Sequence, residues 1–132
     1  AYKNQFDATT DKELIRAVFC TASSVRNFRY NMLTEIIGAF VLLFGALALS
    51  PPTDALGTLN ALPVALLVLG IGLSLGGPTG YAINPARDLG PRIAHFLLPI
   101  STKGHSDWSY AWVPMAGPVI GACIAVLIYN LL

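Results

Sequence analysis

From Ala55 to Ala86 the chain carries no Asp, Glu, Lys or Arg, and from Tyr110 to Leu132 there is again none. Runs this long and uncharged cannot dress a surface for water. A soluble domain is about one-quarter charged residues, whereas here the fraction is 11%, with 55% of residues hydrophobic. Eight of the fifteen charged residues fall before residue 30, at Lys3, Asp7, Asp11, Lys12, Glu13, Arg16, Arg26 and Arg29. An aqueous flank therefore precedes a body whose solvent is lipid. The formal net charge of +1, with no basic stripe interleaved with aromatics, excludes a nucleic-acid partner. The start has no basic segment followed by an apolar one, so it does not read as a signal peptide. It reads as a loop entered midway.

The apolar body divides into spans. Met32 to Leu49 is apolar apart from Thr34 and Glu35, and about 18 helical residues reach ~27 Å, close to a hydrocarbon core. It ends at Ser50-Pro51-Pro52-Thr53-Asp54, where paired prolines forbid helix continuation. A second span is expected over about 59–75. A third is expected over 110–132, with Trp108, Tyr110 and Trp112 at the membrane interface. Small residues mark sites of close helix packing: Gly38 and Gly45, Gly70 and Gly72, and the Gly117-x-x-x-Gly121 motif. Pro114 and Pro118 are expected in the first turns of the third span, where missing donors matter least. Cys20 lies in the polar flank and Cys123 in an apolar run, so both are expected as free thiols rather than a disulfide or metal site.

Residues 76–98 are explained by neither packing nor solvation. Gly76-Gly77-Pro78-Thr79-Gly80 is expected to be irregular. Asn84 then supplies an N-cap and Pro85 a first helical position. A helix from there to about Leu98 spans ~22 Å, too short to cross, so it should be a re-entrant half-helix. Irregular backbone at membrane depth is tolerated where it lines a watery cavity or is buried in protein. The carbonyls of Gly80, Tyr81, Ala82 and Ile83 are thus candidate cavity-lining acceptors. The half-helix N-terminus is partially positive, and Arg87 adds a full charge that repels cations and protons. Neutral solutes could still trade water for the Asn84 amide, the Arg87 guanidinium and the carbonyls. Asp88, in the first turn, favours the dipole and precedes Arg92 by the spacing of a helix ion pair.

The stretch Gly80-Tyr81-Ala82-Ile83-Asn84-Pro85-Ala86-Arg87-Asp88-Leu89-Gly90-Pro91-Arg92 resembles the second signature loop of the aquaporin family, and specifically its glycerol-conducting aquaglyceroporin branch. The resemblance covers nearly the whole chain. It implies an all-α membrane protein in which three transmembrane helices and one re-entrant half-helix form the second repeat of an inverted-repeat fold. Residues 1–31 would be an extracellular-side loop and 32–132 the membrane domain. Within the family the asparagine at Asn84 donates to the passing solute, and the arginine at Arg87 belongs to the selectivity filter. A residue fifteen positions before that arginine also lines the filter, often His in water-selective members and Gly in glycerol channels; here it is Gly72. Asp88, Arg92 and Pro114 agree with the glycerol branch. Tyr81 stands where glycerol channels often carry Phe: its ring would be a wedge for polyol CH groups, and its hydroxyl would narrow or polarise the opening. Pro85, Ala86 and Asp88 support the half-helix.

Glu35 is an ionisable group within a span, a costly placement that points to function. The resemblance implies that it braces the re-entrant loop; the alternative is a carboxyl reaching headgroup water. His95 and His105 read as packed or solvated side chains, without metal-ligand spacing.

The resemblance implies a passive channel of the cell membrane for glycerol, small polyols and water, excluding ions and protons, without cofactor or enzymatic activity. It further implies a complementary N-terminal half with its own Asn-Pro-Ala loop, and assembly as a homotetramer in the lipid bilayer. The alternatives are a water-selective aquaporin and a non-conducting half-channel when isolated. An ion- or proton-coupled transporter would need titratable groups along the path, and the spans offer only Glu35. Basic residues Arg26, Arg29 and Lys103 lie in loops that the family places outside, against the positive-inside rule.

Overall fold

The computed structural model describes residues 2–49 and 59–132. Their order is α1 (Tyr2–Asp7), α2 (Lys12–Phe19), α3 (Phe28–Ala48), α4 (Leu62–Thr79), α5 (Pro85–Leu97) and α6 (Trp108–Tyr129). The Ser50 to Asp54 turn lies outside the described residues.

Three of these helices, α3, α4 and α6, are long and apolar enough to cross a membrane. Helix α3 starts at Phe28, a turn earlier than Met32, because the Asn27 side chain accepts the Tyr30 N–H at 3.3 Å. The polar flank is not a bare loop. Asp11 caps α2 by accepting from the Glu13 and Leu14 amides at 2.9 and 3.2 Å, and α1 folds back so that Phe6 meets Phe19 with ring centroids 5.4 Å apart.

Helix α4 corrects the expectation for Gly76 to Gly80. It continues through Gly76, Gly77 and Pro78 to Thr79, and only Gly80 leaves it, at φ 73°. The last turn is held by bonds from outside the helix. The Ser24 hydroxyl donates to the Gly77 carbonyl at 2.9 Å, its amide to the Pro78 carbonyl at 3.2 Å, and Thr79 Oγ1 donates to Glu35 at 2.6 Å. The two Ser24 donors satisfy carbonyls that a helix end leaves open, while the left-handed Gly80 returns its N–H to Gly76.

Helix α3 packs most extensively on α6, then on α4, and α5 lies against α6 and α2. The α3–α6 contact is backbone on backbone: a Cβ at Gly121 would stand 2.2 Å from the Ile36 carbonyl oxygen, and one at Gly117 would stand 2.7 Å from Glu35 Cβ. That is the close approach small residues allow in lipid, where packing rather than hydrophobicity drives association. Gly45 similarly receives Leu67 of α4, but Gly70 meets nothing within 4 Å and is not a contact residue here. Because α6 begins at Trp108, Pro114 and Pro118 lie inside it rather than in its first turn, and both are buried. Their missing donors are accommodated within a tightly packed helix.

Candidate functional site

The chain between α4 and α5 takes an unusual path. After Gly80, Tyr81 and Ile83 also adopt left-handed backbone, at φ 40° and 43°. For a β-branched residue such as Ile83 this is an outlier, and each such residue costs on the order of 1–3 kcal/mol unless its surroundings impose it. Glu35, buried on α3, does so. Its Oε1 accepts the Ala82 N–H at 3.0 Å and its Oε2 the Ile83 N–H at 2.7 Å, with Thr79 as third donor. Hydrogen bonds to a charged group contribute about 1.5–3 kcal/mol each, enough to offset the strain. The reading of Glu35 as a headgroup-facing carboxyl does not fit this burial.

The Ala82 amide shares its planar peptide with the Tyr81 carbonyl, which therefore points away from Glu35; the Gly80 carbonyl belongs to the peptide before it. Arg87 Nη1 donates to both, at 3.3 and 2.6 Å. The guanidinium carbon also sits 4.6 Å above the Tyr81 ring centroid, a cation–π contact. Tyr81 in turn lies against α4. A Cβ at Gly72 would stand 3.3 Å from its Cζ, and one at Gly76 would stand 2.8 Å from its Cδ1. Gly72, Tyr81 and Arg87 thus form one stack, and the space opened at Gly72 borders the tyrosine ring. A groove of about 370 Å³ runs along this ring and α4, past Ala65, Val68 and Leu69.

Asn84 and Arg87 are exposed, whereas Ala82 and Ile83 are buried. Asn84 Oδ1 caps α5 by accepting the Ala86 N–H at 2.9 Å, which leaves its amide nitrogen as the group to offer a ligand. Pro85 occupies the first helical position. The Ile83 methyl fits the notch at Gly38, where a Cβ would come within 2.8 Å. Ala82 is 0% exposed and Ile83 8%, so neither adds appreciably to the exposed surface of this chain.

Asp88 and Arg92 do more than pair along a helix. Both are fully buried, and Arg92 grips Asp88 with Nε and Nη2, each at 2.7 Å. Arg92 also donates to the Ser106, Asp107 and Thr21 carbonyls, at 2.6, 2.9 and 2.9 Å. Asp88 accepts the Thr21 amide at 2.9 Å and its hydroxyl at 2.5 Å. A buried charge must be paired and its donors filled, and this network meets that requirement by drawing the loops before α3 and α6 onto α5. Asp107 is further paired with Arg26, whose hydrogen bonds hold the Asp107 carboxyl below its ordinary range. Lys103 closes the other end of α5, donating to the His95, Phe96 and Leu98 carbonyls at 2.6, 2.6 and 2.5 Å.

Thr21, Arg26, Lys103, Ser106 and Asp107 escaped the reading of the sequence. Thr21, Arg26 and Asp107 bond partners 67 or more residues away, which nothing local marks, whereas the bonds of Lys103 reach only five to eight residues. His95 is buried with Nδ1 2.8 Å from Ser106 Oγ, and His105 Nδ1 accepts the Asp107 amide at 3.2 Å. Cys20 and Cys123 are free thiols.

Comparison with known proteins gives this geometry a context. The pattern of the major intrinsic protein family matches residues 6–129. Glycerol uptake facilitator protein 3 of Lactiplantibacillus plantarum is 51% identical over 131 residues, which are 99% of this chain and 54% of that protein. A probable glycerol uptake facilitator protein of Thermotoga maritima is 55% identical over 129 residues, 98% of this chain and 55% of that protein. The X-ray structure of the aquaglyceroporin from Plasmodium falciparum aligns with a TM-score of 0.71 at 28% identity, over 85% of this chain and 48% of that one. The chain spans about half the length of the relatives it matches. Three apolar helices, a short helix headed by Asn84 and a family match over nearly the whole sequence lead to one assignment: this chain is a multi-pass membrane protein that belongs to the major intrinsic protein family.

Proposed function

We propose that this chain forms the second half of a passive channel for glycerol and other small neutral solutes, permeable also to water and closed to ions and protons. The observation that carries the reading is the stack of Gly72, Tyr81 and Arg87, with the guanidinium fixed by two backbone carbonyls. A polyol has hydroxyls to bond and CH groups to pack. Arg87 and the Asn84 amide supply donors, and the Tyr81 ring and the apolar wall of α4 supply a surface for carbon. The α5 N-terminus and Arg87 put positive potential at the opening, which opposes cations and protons. The names of the matched relatives point to the same solute. In this reading residues 1–31 form the outer loop, 32–132 the membrane domain, and a complementary half closes the pore within a homotetramer.

Stopped-flow light scattering on proteoliposomes holding the complete channel tests this: glycerol influx well above the lipid background is expected. Water flux without glycerol flux would replace it by the water-selective reading. One observation favours that alternative, since the Tyr81 ring borders the space that Gly72 leaves open.

A further inference from the structure

The segment from Cys20 to Ser24 lies across the turn that feeds the Arg87 stack, and it is tied down at both ends. At one end the Thr21 amide and hydroxyl both donate to Asp88 Oδ1, and the Thr21 carbonyl accepts from Arg92. At the other, the Ser24 amide and hydroxyl bond the Pro78 and Gly77 carbonyls at the end of α4. Between the two ties the strap passes over Gly80: a Cβ there would stand 3.7 Å from Thr21 Cβ and 3.8 Å from the Ala22 carbonyl oxygen. Gly80 is one of the two residues whose carbonyls hold Arg87. Thr21, Ala22, Gly80 and Arg87 also line the same opening, of about 400 Å³.

We infer that Thr21 is a positioning residue for Arg87 and so sets the solute preference of the channel, an inference that rests on the function proposed above. Its hydroxyl acts at two points. It anchors Asp88, the residue next to Arg87, and thereby the first turn of α5. Through that bond it also helps hold the strap against Gly80, whose carbonyl receives the guanidinium. Without the hydroxyl, Asp88 keeps the Thr21 amide and the two Arg92 donors. The buried pair therefore stays satisfied while the strap loosens. The consequence is a change in where Arg87 rests, not a loss of fold.

The test is the ratio of glycerol to water permeability, measured by stopped flow on the complete channel in proteoliposomes. Thr21→Val, which keeps the shape and removes the donor, is expected to shift this ratio by roughly twofold or more, the scale of coupling through packed networks. Thr21→Ser, which restores the hydroxyl, is expected to return it to the wild-type value. Arg87→Val serves as the reference for a displaced filter. If Arg87→Val alters the ratio and Thr21→Val leaves it unchanged, the inference is overturned while the function stands. If the wild-type channel conducts no glycerol, the function itself fails. Should Thr21→Val not accumulate in membranes, Ser24→Ala carries the test by removing the hydroxyl half of the other tie: a shifted ratio supports the strap, and an unchanged one overturns it.

Discussion

Glu35 and Arg87 hold neighbouring stretches of the same backbone: one accepts the Ala82 and Ile83 amides, and the other donates to the Gly80 and Tyr81 carbonyls. Glu35→Gln would leave one oxygen to accept and set an amide donor against backbone N–H groups. An unsatisfied buried donor costs about 1–3 kcal/mol, so the variant should melt at lower temperature in detergent and conduct less. Unaltered melting and flux would show that the turn holds itself. Arg87→Val removes the fixed charge and the donors to Gly80 and Tyr81. Proton leak, read by a pH-sensitive dye inside proteoliposomes, should rise. An equally tight membrane would count against Arg87 as the excluding charge. Much of this was legible in the sequence, because Asn84, Pro85 and Arg87 act within one turn, where capping and dipole rules apply. The left-handed backbone at Tyr81 and Ile83 was not, since it is imposed by a residue more than 40 positions away on α3.

Elements tell a similar story at longer range. The starts of α3 and α5 follow from Asn27 and Asn84 as side-chain caps. The end of α4 does not follow from its own residues, because local propensity disfavours helix at Gly76-Gly77-Pro78. Ser24, Glu35 and the Tyr81 ring supply what the local sequence lacks. Between α3 and α6 the contact is tight enough that Gly121→Leu should prevent assembly. Its Cβ alone would collide with the Ile36 carbonyl, and neither backbone can withdraw without parting the helices. Loss of the protease-resistant membrane form would register this, and a fully folded variant would contradict it. The Arg26–Asp107 pair joins the loop before α3 to the start of α6. Asp107 titrates below its ordinary value because it hydrogen-bonds Arg26. Its stabilisation is therefore complete above the unfolded value of about 3.9 and lost as pH falls through the lower folded value. Wild-type thermal stability should decline on acidification below about pH 4 more steeply than that of Asp107→Asn. Parallel curves would remove this pair as a source of acid sensitivity.

At the scale of the whole molecule, α4 leaves Leu66, Leu69 and Leu73 exposed, Leu73 by 81%, on the helix that carries Gly72 and walls the groove beside Tyr81. Lipid could cover such leucines, but Asn84 and Arg87 are exposed as well. A guanidinium against hydrocarbon is costly, and charged groups in membranes face a partner or a watery cavity. In the function proposed above, the surface that bears the candidate filter meets a second protein wall, and the chain spans about half the length of its relatives. Alone in liposomes, residues 1–132 should raise glycerol permeability no further than an inert membrane protein does. Expressed together with a polypeptide supplying the complementary half, the same chain should recover glycerol flux, and Arg87→Val in the recovered channel should change its selectivity. Flux from the chain alone at the level of the recombined pair would mean that copies of this half enclose a pore by themselves, and the exposed α4 face would then be their shared wall.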